Sequence, residues 1–218
     1  MKRAIVACVV LAALSALLCT AQPKDIEISL VTPFGSPLAA AKVVVKYPSG
    51  LVLALVSDSV GRIMIPRVPK EGVSLVVEEW RGFKLGYEVR RVASSGTIVV
   101  ENIGKLRVAV MGARGQPLAG AEVEIKGYPI VGVTNEGGWF EVEVPAGTYT
   151  VVARYCGLKG FATITVPKGS IGSGKIRLDV FVVIASWPLT TAEFNGLVVL
   201  AVIVTITLLI VHHSIMRR

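Results

Sequence analysis

The chain has 218 residues, 53% of them hydrophobic, with 23 Lys and Arg against 15 Asp and Glu and a net charge of +8. So apolar a composition excludes a disordered chain, three cysteines exclude a disulfide-built scaffold, and two histidines leave little room for His-dependent chemistry. The basic excess is not a nucleic-acid signature: without Lys2, Arg3, Arg217 and Arg218 at the ends, 19 basic residues face 15 acidic ones, a net +4 with no basic block.

Residues 1–21 open with Lys2 and Arg3, run through AIVACVVLAALSALL and end on Cys19-Thr20-Ala21, small residues where a signal peptidase cuts. A signal peptide over 1–21 and a mature chain from Gln22 are expected. The apolar run is shorter than the ~20 residues of a membrane span, and Leu18 before Cys19 speaks against a lipoprotein signal. Cleavage would remove Cys8 and Cys19 and leave Cys156 without an internal disulfide partner. A small core thiol is expected there, with intermolecular pairing as the alternative.

From residue 25 to 184, short β-branched runs are cut by Gly, Pro, Ser and Asn, with no helical periodicity. Strands are predicted near 25–32, 41–47, 51–57, 62–66, 74–80, 84–92 and 97–102. A second set is predicted near 105–111, 121–127, 130–134, 139–144, 147–155, 160–166 and 174–184. Seven short strands bury one face each only if a second sheet covers the first, so each set reads as a β-sandwich.

An internal repeat supports the division. GSPLAAAKVVV (35–45) returns as GQPLAGAEVEI (115–125), VSDSVGRIMIP (56–66) as VTNEGGWFEVEVP (133–145), and GVSLVVEEWRG (72–82) as GTYTVVARYCG (147–157). The fold class is therefore all-β: two tandem seven-stranded sandwiches over 22–102 and 103–186, joined at Asn102-Ile103-Gly104 without a flexible linker, which predicts a stiff rod. The signal helix precedes them.

The repeated blocks carry a family likeness. The second copy has Gly115, Pro117, Gly120, Ala121 and Val123, then Thr134, Asn135, Gly138 and Phe140, then Pro145, Gly147 and Tyr149. In this pattern it resembles the carboxypeptidase regulatory-like domain, a transthyretin-like, Ig-like β-sandwich. The first copy is degenerate: it keeps Gly35, Pro37, Asp58 and Gly61 but has Ala40 where the pattern has Gly, and no tyrosine. The resemblance implies a fold and an accessory habit, and it transfers no active site.

The C-terminal part reads as an anchor. Residues 187–193 are expected to be a juxtamembrane linker, and Phe194–His213 an uncharged helix of the ~20 residues that cross a hydrocarbon core. Thr205 and Thr207 are tolerable because a helical hydroxyl bonds back to a carbonyl. The basic tail 214–218 places that end in the cytoplasm and residues 22–193 outside. Trp187, Phe194, Arg217 and Arg218 are the expected membrane-interface anchors. Removal of the tail by a sorting transpeptidase is a weaker reading, since no clear recognition motif stands at 188–196.

Candidate chemistry is sparse. His212 and His213 lie beyond the span, so neither a Ser-His-Asp or Cys-His arrangement nor a His-containing zinc site assembles from the exported part. No cofactor is expected. Glu78 and Glu79 adjoin on a strand and should face opposite sides. Glu122 and Glu124 bracket an inward Val123. Phe140, Val142 and Val144 should point inward, leaving Trp139, Glu141 and Glu143 on the outer face, where an indole beside carboxylates suits a sugar ring or a protein contact. The competing reading has Trp139 covering the sandwich edge or the interdomain junction. Trp80 and Tyr155, aligned in the repeat, are expected in core or edge packing. A Lys105–Asp179 amide brace assisted by Glu143 is a further alternative.

These readings converge on a noncatalytic cell-surface binding or envelope-assembly protein held by one C-terminal span. The alternatives are an accessory subunit of a membrane-bound hydrolase or a carbohydrate-binding module. Membrane lipid and an envelope protein are the expected partners, carbohydrate a second candidate, and nucleic acid none.

Overall fold

The computed structural model describes residues 24–184 and 187–216. The expected signal peptide, Arg217 and Arg218 lie outside them. The chain divides into two compact units between Val100 and Glu101.

In the first unit, apolar residues at every second position, such as Ile26, Ile28 and Leu30, are buried between polar ones. The strands are β1 (Lys24–Val31), β2 (Lys42–Lys46), β3 (Val52–Val56), β4 (Arg62–Val68), β5 (Val73–Trp80), β6 (Phe83–Val92) and β7 (Gly96–Val99). They form a four-stranded sheet, β3-β2-β5-β6, and a three-stranded one, β4-β1-β7. All neighbours are antiparallel except β1 and β7.

The second unit has β8 (Ile103–Met111), β9 (Glu122–Ile125), β10 (Val131–Val133), β11 (Trp139–Pro145), β12 (Gly147–Tyr155), β13 (Leu158–Val166) and β14 (Ile171–Arg177). Its sheets are β10-β9-β12-β13 and β11-β8-β14, again with one parallel pair, β8 and β14. Each strand holds the place taken by the strand seven numbers earlier, so the sequence repeat is a repeat of topology.

The repeated motifs explain why. In the first unit the Asp58 carboxylate accepts the N–H groups of Val60 (2.9 Å) and Arg62 (2.7 Å). In the second, Asn135 Oδ1 accepts those of Gly137 (3.0 Å) and Trp139 (2.9 Å). These local bonds make the turn before β4 and β11. Gly61 and Gly138 follow at φ +76° and +72°, where a Cβ would overlap the carbonyl oxygen of Leu30 or Val110. Beside each turn a buried hydroxyl closes the sandwich corner: Ser57 Oγ accepts from Ala41 N–H and donates to the Leu38 carbonyl, while Thr134 Oγ1 does the same for Ala121 and Leu118.

Several expectations are revised. The predicted last strand 174–184 begins earlier and stops at Arg177, because Gly172 lets the backbone of Thr165 and Val166 come close and the Val180 N–H turns back onto the Leu178 carbonyl (2.8 Å). A small hairpin follows, β15 (Val182–Ile184) and β16 (Trp187–Leu189). The segment read as a linker thus contains a strand, and the helix α1 spans Thr191–Met216 rather than starting at Phe194.

Cys156 is exposed, not a core thiol. It sits at φ +46° with Gly157 in the two-residue turn between β12 and β13, as Arg81 (φ +50°) and Gly82 do between β5 and β6. Two positive φ values match the twist of a hairpin, and such a tip faces solvent. Trp80 is fully buried, whereas Tyr155 is half-buried. A bulge between Val77 and Glu79 breaks the simple alternation assumed for Glu78 and Glu79, and Glu79 pairs with Lys42 at 2.8 Å.

Candidate partner-contact face and membrane anchor

β11 lies beside β8, with Trp139 opposite Ala109, Glu141 opposite Arg107 and Glu143 opposite Lys105. Period-two alternation sends Val144 into the core and packs Phe140 against Gly132 of the facing sheet, where a Cβ would overlap the ring. Trp139, Glu141 and Glu143 therefore share the outer face, as expected. Arg107 joins them there. Its Nε donates to the Glu141 carboxylate, and its guanidinium lies over the Trp139 ring, 5.0 Å from the centroid. The indole is half-buried under that cation. One arginine thus holds the indole and one carboxylate in register on a flat sheet. That arrangement suits stacking and hydrogen bonding.

The Lys105–Asp179 amide is ruled out by register. Lys105 faces Ile171 at the start of β14, while Asp179 lies beyond the other end of that strand, roughly 25 Å of extended chain away. The Asp179 carboxylate instead accepts from Thr191 Oγ1 (2.7 Å) and Thr191 N–H (3.3 Å).

That contact belongs to the start of α1. Thr190 and Glu193 form a capping box: the Glu193 carboxylate accepts from Thr190 N–H (2.8 Å), and Thr190 Oγ1 accepts from Glu193 N–H (3.3 Å). Phe194, expected as an interface anchor, stacks on Phe181 with centroids 4.6 Å apart. The Phe181 N–H donates to the Leu189 carbonyl, and Gln116 Nε2 donates to the Val180 carbonyl (2.6 Å). The helix is thereby tied to the sandwich through Asp179, Phe181 and the Gln116 turn. Trp187 on β16 is 77% exposed. Beside this joint an open groove of about 690 Å³ is lined by Arg114, Gln116, Pro117, Tyr155 and Phe181.

Beyond its first turn α1 is apolar on all sides and exposed over residues 197–211, and from Thr191 to His213 it is long and apolar enough to cross a membrane. Thr205 and Thr207 donate to the carbonyls of Ala201 and Ile203 (both 2.8 Å), so neither hydroxyl is left unsatisfied.

Residues 105–179 match the family model of the carboxypeptidase regulatory-like domain. The family's turn glycine, proline, Thr-Asn pair and tyrosine are the groups that build the corners of this regulatory-like domain. No curated protein sequence matches the chain. Among solved structures the chain is similar to the Bacillus anthracis TIE protein (17% identity, TM-score 0.32), covering 71% of this chain and 33% of that one. It is also similar to GBS52, the minor pilin of Streptococcus agalactiae (13%, TM-score 0.34), covering 70% and 95%, and to the shaft pilin SpaA of Lactobacillus rhamnosus GG (12%, TM-score 0.36), covering 72% and 97%. The chain spans about a third of the length of the TIE protein, and likenesses of this size assign no function.

Two features of the regulatory-like domain were missed in the sequence. Arg107 was not paired with Trp139, because the pairing depends on the β8–β11 register. Phe161 was not singled out, yet it is 75% exposed on β13, opposite Val152 and beside Arg154, which pairs with Glu124 at 3.0 Å. Its signal was available: Gly160, Ala162 and Ile164 form the inward set, which sends Phe161 outward.

Proposed function

We propose that this chain is a noncatalytic cell-surface module that binds a partner or assembles with other envelope proteins, anchored by α1, with residues 22–193 outside and the tail cytoplasmic. One observation carries the reading: the regulatory-like domain is joined through Asp179 and Phe181 to the first turn of an apolar helix, an arrangement that displays a domain at a membrane surface. The motif residues are spent on turns and corners, and the outer-face carboxylate Glu141 is engaged by Arg107.

The test is protease treatment of intact cells making the full chain. External protease should degrade the 24–184 region and leave a membrane-embedded fragment containing α1. Protection of the domains, or turnover of glycoside, ester or peptide substrates by the purified full chain in detergent, would overturn the proposal. A carbohydrate-binding role is the second reading, favoured by the indole held beside carboxylates. Glycan-array binding that disappears in Trp139→Ala would select it.

A further inference from the structure

We propose that β3 is a self-association edge: two copies of this chain pair antiparallel through Val52–Val56, on a two-fold axis at Ala54. This goes beyond the surface role above and does not depend on it.

The backbone supplies the first argument. β3 ends the sheet β3-β2-β5-β6. Tyr47 N–H donates to the Leu51 carbonyl (2.9 Å) and Ser57 N–H to the Ala41 carbonyl (3.0 Å). With Val43 opposite Leu55 and Val45 opposite Leu53, residues 51, 53, 55 and 57 spend their backbone groups on β2. Val52, Ala54 and Val56 direct theirs away from the sheet. An edge of this kind is a template for another strand.

The sequence supplies the second. V-L-A-L-V reads the same in both directions about Ala54. An antiparallel copy therefore sets Val52 opposite Val56, Ala54 opposite Ala54 and Val56 opposite Val52. These are the residues whose N–H and C=O groups point outward, so the register of the palindrome and the phase of the hydrogen bonds coincide. The pairing makes about six backbone hydrogen bonds, opposes no like charges, and sets valine side chains, 58% and 64% exposed in one copy, against each other across the join. An isologous contact requires such self-complementarity, and it closes at two copies.

The other edges explain why β3 is chosen. Among the described residues, β6 carries Lys84, Glu88, Arg90 and Arg91, and β4 carries Arg62, Pro66 and Arg67. β11 carries Glu141, Glu143 and Pro145, and β10 has three residues. The Val99 carbonyl on β7 accepts Tyr87 Oη–H (3.1 Å). β13 is met by β14, whose Gly172 abuts Thr165 and Val166. Charge, proline, brevity or a cover blunts each of these, and none blunts β3.

The test uses the full chain in detergent, with its natural cysteines replaced by serine and single cysteines introduced at Ala54, Val52 or Val56. Ala54→Cys should cross-link to its own copy under mild oxidation or with a short bis-maleimide. Val52→Cys and Val56→Cys should each fail alone, their like positions lying ~13 Å apart, and should cross-link when mixed. Ala54→Lys, an exposed substitution that opposes two ammonium groups, should convert the dimer to monomer in analytical ultracentrifugation with an unchanged circular dichroism spectrum. Equal cross-linking at all three positions, or a monomer in the unsubstituted chain, would overturn the proposal. Loss of external display with the cross-linking pattern intact would count against the surface role alone.

Discussion

Ala40 and Gly120 occupy the same turn in the two units, at φ +55° and +73°. An L-residue in the left-handed region costs roughly 1–2 kcal/mol, partly offset by the lower unfolded-state freedom of alanine. Ala40→Gly should therefore stabilise the first unit by about 0.5–1 kcal/mol in urea unfolding. Gly120→Ala should cost a similar amount, by torsion alone, since nothing lies within 4 Å of the added Cβ. Tyr149 has no counterpart in the first unit. Its hydroxyl donates to the Pro145 carbonyl (2.6 Å), and burial, with Tyr128 adding to it, pushes its pKa up from 10.0 to about 12. A folded pKa above the unfolded one means stability present below pH 10 and lost as pH rises toward 12. Alkaline unfolding of the second unit should become less steep over that window in Tyr149→Phe, which otherwise loses about 1 kcal/mol for the hydrogen bond. Turn glycines and the tyrosine were legible because each has one physical use. Cys156 was misjudged because composition favours burial of a free thiol, whereas the Tyr-Cys-Gly spacing, aligned with Trp-Arg-Gly, marks a hairpin tip.

Strands were legible wherever alternation was clean, and so was the outward row Trp139, Glu141, Glu143. What the sequence could not supply was cross-strand register, which brings Arg107 onto Trp139 and carries Asp179 away from Lys105. The corner hydroxyl shows how little side chain the fold needs at that element. Thr134→Ser should be nearly neutral, because Ser57 does the same work in the first unit. Thr134→Val should cost about 2 kcal/mol in denaturant unfolding, since Ala121 N–H and the Leu118 carbonyl both lose their buried partner. The start of α1 was misplaced by three residues because hydropathy alone set the boundary. The T-x-x-E signature at Thr190–Glu193 marks it instead.

At the scale of the whole molecule, fold class and the apolar terminal helix follow from pattern and length. Function does not, because the family motif is consumed by the scaffold. Deleting 191–218 should move the chain from the membrane pellet to the soluble fraction, whereas the full chain should resist alkaline carbonate extraction. The capping box and the Asp179 contact have a mechanical meaning as well. Of the 26 residues of this helix, the uncharged run 194–211 is roughly 27 Å long, close to a ~30 Å hydrocarbon core, so a span centred on it would leave the capped first turn at the interface. With its first turn clasped to the regulatory-like domain through Asp179 and Phe181 rather than hung on a swivel, any tilt the helix took in a bilayer would be passed on as a lean of the domain, tying bilayer thickness to the direction in which its outer face looks.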